Sequence, residues 1–501
     1  MVFVAVLHLV ACHVVLGLDD PRIEAQDAAS VDDVGDAADE TVVLGPAIDG
    51  GVDAGNDAEV DVVVNYNENW DNPTLWNKID LSTFNGGVTA FAGAVFDGRY
   101  IYFAPSNNTN SVAFAARYDT LGNLLTVNTS WSFFDTGSLH PDARGFQGAF
   151  FDGQYVYFVP FAGPTVHTGR VVRFDTKAGR QFSDALAWSH FDTASLNANA
   201  RGFIGGAFDG QKYAYMAPGL GSFADGLREQ ALAARFDTTA SNGFSSAGAW
   251  QFFDTQTIDP TLPGGGPRGF FGTLFTGTHL YFAPYGYGGA VPDGCRGRVI
   301  RYDASKSFVA KASWELFDTT TVDSHAHCFQ GTAYDGRHVY FVPLINAGGY
   351  SGAVTRYDTT KPFAQPGSWN VFDVSTLDGG VAPSQVDAGV PPIRKGYVGA
   401  TFDGRYLYFV PNQSPQAHGW LARFDTTKPN LDDPSAWSFY DVQRAVPRAG
   451  GAPETDAVAF VGAVFDGQYV YLVPGFKSVV VRFYAAYPAK LAKFMRGGSF
   501  F

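Results

Sequence analysis

The side chains best suited to chemistry lie where the sequence does not repeat. In "DSHAHC", residues 323–328, Asp323, His325, His327 and Cys328 fall within six positions. His-x-His beside a carboxylate is a spacing that can donate metal ligands. No second closely spaced ligand pair accompanies it, so these are read as surface or capped-loop histidines and no metal is assigned. His140, His167, Tyr285, Tyr287, Asp293 and His418 stand in other irregular stretches of the same kind. The chain has three cysteines, Cys12, Cys295 and Cys328. With Cys12 set apart in an N-terminal export segment, an even pair is left, and an exported chain would bridge Cys295 to Cys328 in preference to burying two thiols. No nucleophile elbow, framed pair of catalytic carboxylates, sialidase Asp-box or phosphate-binding loop occurs. No catalytic residue and no cofactor is therefore expected.

What must position those residues is repetitive. "FDGQYVYFVP" at 151–160 returns as "FDGQYVYLVP" at 465–474. Asp-Gly recurs at Asp97, Asp152, Asp209, Asp335, Asp403 and Asp466, with Thr276-Gly277 in the remaining place. Each pair joins two short apolar runs, which predicts a hairpin closed by a type I′ turn over Asp-Gly. Each second run ends in Pro, which has no N–H to continue a ladder. A third strand then carries Arg (117, 173, 235, 301, 356, 423 and 482), and a fourth carries Trp with Asp four residues on, as in Trp131/Asp135 and Trp188/Asp192. Seven hairpins are followed by only six Trp strands. The seventh, Trp76/Asp80, precedes the first hairpin. The count closes only if this N-terminal strand completes the last unit. The fold expected is all-β: a seven-bladed β-propeller of four-stranded antiparallel blades, its ring closed by the N-terminal strand.

The repeated Arg and Asp invite a reading as repeated sugar or anion sites. Framework use explains them better: partly buried charges are normally paired, so each Arg is expected to meet the Asp ending the fourth strand as a bidentate pair. The Trp residues are expected to pack between blades. In a four-stranded blade, the second-to-third loops and the blade-to-blade connections share one face and the Asp-Gly turns the other. The first set is long and variable, and it gathers His140, His167, Tyr285, Tyr287, Asp293, Asp323, His325, His327 and His418. That loop face is the expected binding face.

The repeat resembles the kelch repeat, through Arg173-Phe174-Asp175, Trp188 and Arg201 and their counterparts over residues 76–484. Kelch carries Gly-Gly after its second strand where this chain has Pro160 and its equivalents. The resemblance implies an interaction platform for a protein or glycan. It also implies an alternative, since some kelch-like proteins are copper-radical oxidases or sialic-acid isomerases with an axial pocket. Tyr285, Cys295 and His327 are of the oxidase's ligand types, without its spacing. A structural envelope protein that binds nothing small is the third reading.

Residues 1–18 hold an apolar run too short for a comfortable membrane span. "LVAC", Leu9 to Cys12, resembles the lipobox of bacterial lipoproteins, in which Cys12 would receive the lipid. His13 rather than Asp follows it, which in that family points to the outer membrane; a cleaved, secreted soluble form is the alternative. Residues 19–61 hold 14 acidic residues against Arg22, a local −13 within a chain total of −15. Residues 19–64, lacking aromatics, are expected to be a disordered acidic tether. The propeller is placed at 65–484, with 485–501 as a tail. It is nearly neutral and has no basic stripe, which excludes nucleic acid as a partner. A monomer is expected, held to the membrane through the lipid alone.

Overall fold

The computed structural model describes residues 65–68, 70, 72–106, 113–122, 124–163, 166–219, 230–240, 243–286, 296–381 and 392–487. Cys12, Tyr287, Asp293 and Cys295, with the export segment and the tether, lie outside them. Seven four-stranded antiparallel sheets are present. Blade 2 shows the plan: Phe146–Phe151 innermost, then Tyr155–Pro160, Arg170–Asp175 and Trp188–Asp192. Successive inner strands touch around the ring, and Phe460–Phe465 of blade 7 reaches Phe91–Phe96 of blade 1. The ring closes as the Trp count requires. Trp76–Asp80 pairs with Val479–Tyr484, Trp76 opposite Phe483 and Asp80 opposite Val479. A second clasp pairs Asn65–Tyr66 with Ala486–Tyr487, so pairing continues past residue 484.

Each repeated residue has a structural partner. The turn aspartate stands just before the tight turn and accepts two backbone N–H groups on one oxygen. For Asp152 these come from Gln154 at 2.9 Å and Tyr155 at 2.6 Å, while the other oxygen accepts the Tyr157 hydroxyl at 2.7 Å. Only the glycine takes positive φ, 95° at Gly153. Glycine is thus the first central residue, as a type II′ turn requires, and the expected type I′ turn over both residues is corrected. The Asp–Tyr bond recurs at Asp97–Tyr102, Asp335–Tyr340, Asp403–Tyr408 and Asp466–Tyr471.

The tryptophans pack between blades as expected. Trp188 Nε1 donates to Phe182 O at 2.8 Å, and its ring stacks on Phe134 of blade 1 at 4.5 Å. The expected Arg–Asp pairing is overturned. Strand register sets Arg173 opposite Ser189 and Asp192 opposite Arg170, near opposite ends of the strands. Arg173 instead lies over Tyr155 at 3.8 Å and over Phe244 of blade 3 at 4.3 Å, with Nε donating to Ser189 Oγ at 3.0 Å. A guanidinium is weakly hydrated and planar, so it fits between rings, and in blade 4 Arg301 lies over Phe363 at 4.4 Å while also pairing with Glu315 of the fourth strand at 2.6 Å. The fourth-strand aspartates cap the 3₁₀ turns that follow: Asp192 accepts Ala194 N–H at 3.0 Å.

Among the described residues, three departures from the repeat alter its turns and strands. The blade 3 turn is one residue longer, Asp209 Oδ1 accepting from Gln211, Lys212 and Tyr213. Blade 4 has Thr276 in place of the aspartate. Blade 5 adds a small hairpin, Ile345–Asn346 with Gly349–Tyr350.

Candidate functional site

Among the described residues, two groups of polar side chains that contain histidine stand on the loop face, beside an ion network of Lys78, Arg448, Glu454, Asp456 and Lys477. The first lies where the connection from blade 1 meets blade 2. The rings of His140 and His190 are 5.7 Å apart. Asp142 N–H donates to His140 Nδ1 at 3.1 Å, and the Asp142 carboxylate is 3.7 Å from the same nitrogen. Arg170 reaches His190 Nδ1 at 3.2 Å and Asp192 at 3.5 Å. Burial, then the Arg170 and His140 charges, hold His190 below the usual histidine range. Strand position puts His190 here, where blades 1, 3 and 6 carry Phe133, Phe252 and Phe439. That departure was the signal that sequence reasoning passed over.

The second is Asp323 with His325. Asp323 Oδ1 is 2.8 Å from the His325 N–H and 2.9 Å from its Nδ1. Both side chains are open to solvent, 42% and 64% exposed. His327 does not join them as a second ligand; it is buried, and burial foremost lowers its affinity for a proton. Among the described residues, no group of three or more His, Cys, Asp or Glu is arranged to hold a metal ion.

Other residues expected on this face are inside it. His167 is buried, edge-on to Phe161 at 5.5 Å. Tyr285 is buried against Phe271 at 4.9 Å, and burial pushes its hydroxyl far above the usual tyrosine range. His418 is buried with Nε2 3.0 Å from Lys395 O and Nδ1 accepting Trp420 N–H at 3.2 Å; burial depresses it to about 4. These side chains hold the loops from beneath. Cys328 is disulfide-bonded and has φ of 56°. Blades 2, 3, 4 and 6 carry glycine at the same place, Gly145, Gly202, Gly269 and Gly396, all at positive φ.

The axis is crowded by backbone. A Cβ on Gly331 would lie 2.8 Å from the Cα of Gly399, and one on Gly399 would lie 3.1 Å from that of Gly462. Any side chain there would force adjacent blades apart. Beside these glycines Ile204, Phe271, Val398 and Val461 are buried, as are Gln147 and Gln330.

No protein-family model and no curated protein matches the chain. Solved structures are similar in architecture. A catalytically inactive virginiamycin B lyase from Staphylococcus aureus with quinupristin aligns over 82% of this chain and 98% of its own, at 12% identity and a TM-score of 0.49. The Cps50 (Swd1) β-propeller domain of Myceliophteria thermophila covers 82% of this chain and 99% of its own, at 9% identity and 0.45. The computationally designed Ika8 protein covers 79% and 96%, at 10% identity and 0.40. At these identities the likeness concerns the fold alone.

Proposed function

We propose that the protein is an exported binding module that presents the loop face of its propeller to a protein or glycan at the cell surface. The acidic segment serves as its tether and Cys12 as its lipid anchor, in the outer membrane. One observation carries the reading: the polar residues that keep their identity from blade to blade are engaged in holding the blades together, while polar residues whose type varies stand half-buried or exposed on the loop face. Arg173 is held between rings and Asp152 by its own turn and Tyr157. His140 and Asp323 each accept the N–H two residues on, as Asn85, Asn197 and Asp259 do in their blades. The side-chain type at this place changes from blade to blade, and with His190 and His325 they reach solvent. A scaffold whose shared residues are spent on packing leaves recognition to residues that vary.

The test uses the propeller with its loops intact, probed on arrays of envelope proteins and glycans. Wild-type protein should retain a ligand. Two double variants, His140→Ala with His190→Ala and Asp323→Asn with His325→Ala, should weaken binding roughly tenfold or more while lowering the melting temperature by only a few degrees. Absence of any ligand, or undiminished binding by both variants, overturns the proposal.

A further inference from the structure

Two of the three breaks in the repeat meet on the opposite face, at the Asp-Gly turns, and a pocket of about 440 Å³ lies between them. Its walls are the lengthened blade 3 turn (Asp209, Gln211), the blade 4 turn (Gly277 to His279) and the start of the next blade 4 connection (Asp303 to Ser305), with Phe275 at its base. In five blades the second oxygen of the turn aspartate takes a tyrosine hydroxyl. In blade 3 the extra residue draws three backbone N–H groups onto Asp209 Oδ1, at 2.9, 2.6 and 2.9 Å, and Tyr215 makes no such bond. Asp209 lines the pocket and its Oδ2 lacks the tyrosine bond that this oxygen has in five other blades. In blade 4, Thr276 removes the carboxylate that His338 has in blade 5, where Asp335 Oδ2 lies 3.0 Å from its Nδ1. His279 instead meets Thr278 Oγ1 at 3.0 Å.

The charges select the ligand class. Asp303 is ionised, its hydrogen bonds from Ser305 and its ion pair with Lys306 at 2.9 Å answering its charge. Three amides answer that of Asp209. Burial, then the Arg301 charge, lower the proton affinity of His279 against the opposing pull of Asp303 and Glu315. An anion would meet two carboxylates with no free base facing it, and a cation would have Asp209 alone, since Lys306 already pairs with Asp303. What remains is a set of directional donors and acceptors: a carboxylate oxygen, the Gln211 amide, the His279 imidazole and the Ser305 hydroxyl. Such a set matches vicinal hydroxyl groups, and the volume suits a small ligand. We propose that this pocket binds an uncharged saccharide unit, independently of whatever the loop face recognises.

Saturation-transfer NMR on the propeller tests this with methyl glucoside, methyl galactoside and N-acetylglucosamine, and with glucuronate and ethanolammonium as charged controls. At least one neutral sugar should receive saturation and the charged controls none. Ala304→Phe, which fills the pocket, and Gln211→Ala, which removes one amide, should each weaken that sugar's binding roughly tenfold. The loop-face double variants should leave it unchanged. No transfer to any neutral sugar, equal transfer to a charged control, or full binding by both pocket variants overturns the assignment.

Discussion

Trp76 Nε1 donates to the carbonyl of Trp70 at 2.7 Å, across the same six-residue step that Trp131 takes to Leu125 and Trp188 to Phe182. Those last two belong to blades built from continuous chain. Trp76 belongs to a blade whose other three strands come some four hundred residues later, yet its local geometry is theirs. Its ring lies 4.4 Å from Phe483 within that blade and 5.1 Å from Tyr440 of blade 6. The segment is a complete outer strand with its own tryptophan loop, and it bolts the last blade to the one before it.

Deleting residues 65–84 should therefore abolish cooperative melting rather than merely lower its midpoint. Without them Phe483 and Tyr440 lose the rings of Trp70 and Trp76, and the edge of Val479–Tyr484 is left unpaired. Calorimetry of the truncated chain checks this. A single sharp transition at the wild-type temperature would contradict it.

Arg173→Ala should lower stability by about 1–3 kcal/mol, because it empties a slot between Tyr155 and Phe244 that belongs to two blades. Arg173→Lys should recover less than half of the loss, since an ammonium keeps the charge but not the plane that lies over the rings. Chemical denaturation of both variants measures it; full rescue by lysine would show that charge alone matters at this position.

Much of the fold was legible because a propeller repeats its constraints. Asp-Gly, Pro and Trp mark strand ends, and the misplaced Trp76 disclosed the closure. The Arg partner was not legible from residue types. It follows from register, which places Arg173 opposite Ser189 rather than Asp192, and from a neighbouring blade's ring that no local spacing reveals. The longer blade 3 turn was visible as five residues from Asp209 through Tyr213 against four from Asp152 through Tyr155, though its consequence was not. For the loop face, sequence named His140 and Asp323, which are partly open to solvent. It could not show that His167, Tyr285 and His418 turn inward, because burial in a loop depends on what the adjoining loops cover.

Cys328 occupies a place where four blades use glycine, at φ of 56°. A β-carbon there costs about 1 kcal/mol, which the disulfide must outweigh. Once the bridge is removed, Cys328→Gly should be more stable than Cys328→Ala by about 1 kcal/mol, although alanine is the closer match in size. Thermal unfolding of the two variants decides it, and equal stability would mean that the strain is relaxed when the bridge is lost.

Blade 6 holds two buried groups whose titrations oppose each other. His418 is depressed to about 4 in the folded chain against 6.5 when unfolded. Between those values the unfolded chain binds more protons, so this contribution is complete above pH 6.5 and is lost as pH falls through about 4. Its size is up to about 3 kcal/mol. Asp403 is raised to about 6 against 3.8, burial outweighing the bonds from Tyr406, Arg405 and Tyr408. Its contribution is complete below pH 3.8 and is lost as pH rises through about 6. Acidifying wild-type protein from pH 7 to pH 5 therefore sets a loss at His418 against a gain at Asp403. In His418→Asn only the gain survives. That variant's stability should rise relative to wild type across this interval, as read from urea midpoints at each pH. Parallel curves for the two proteins would show that His418 does not set the acid limb.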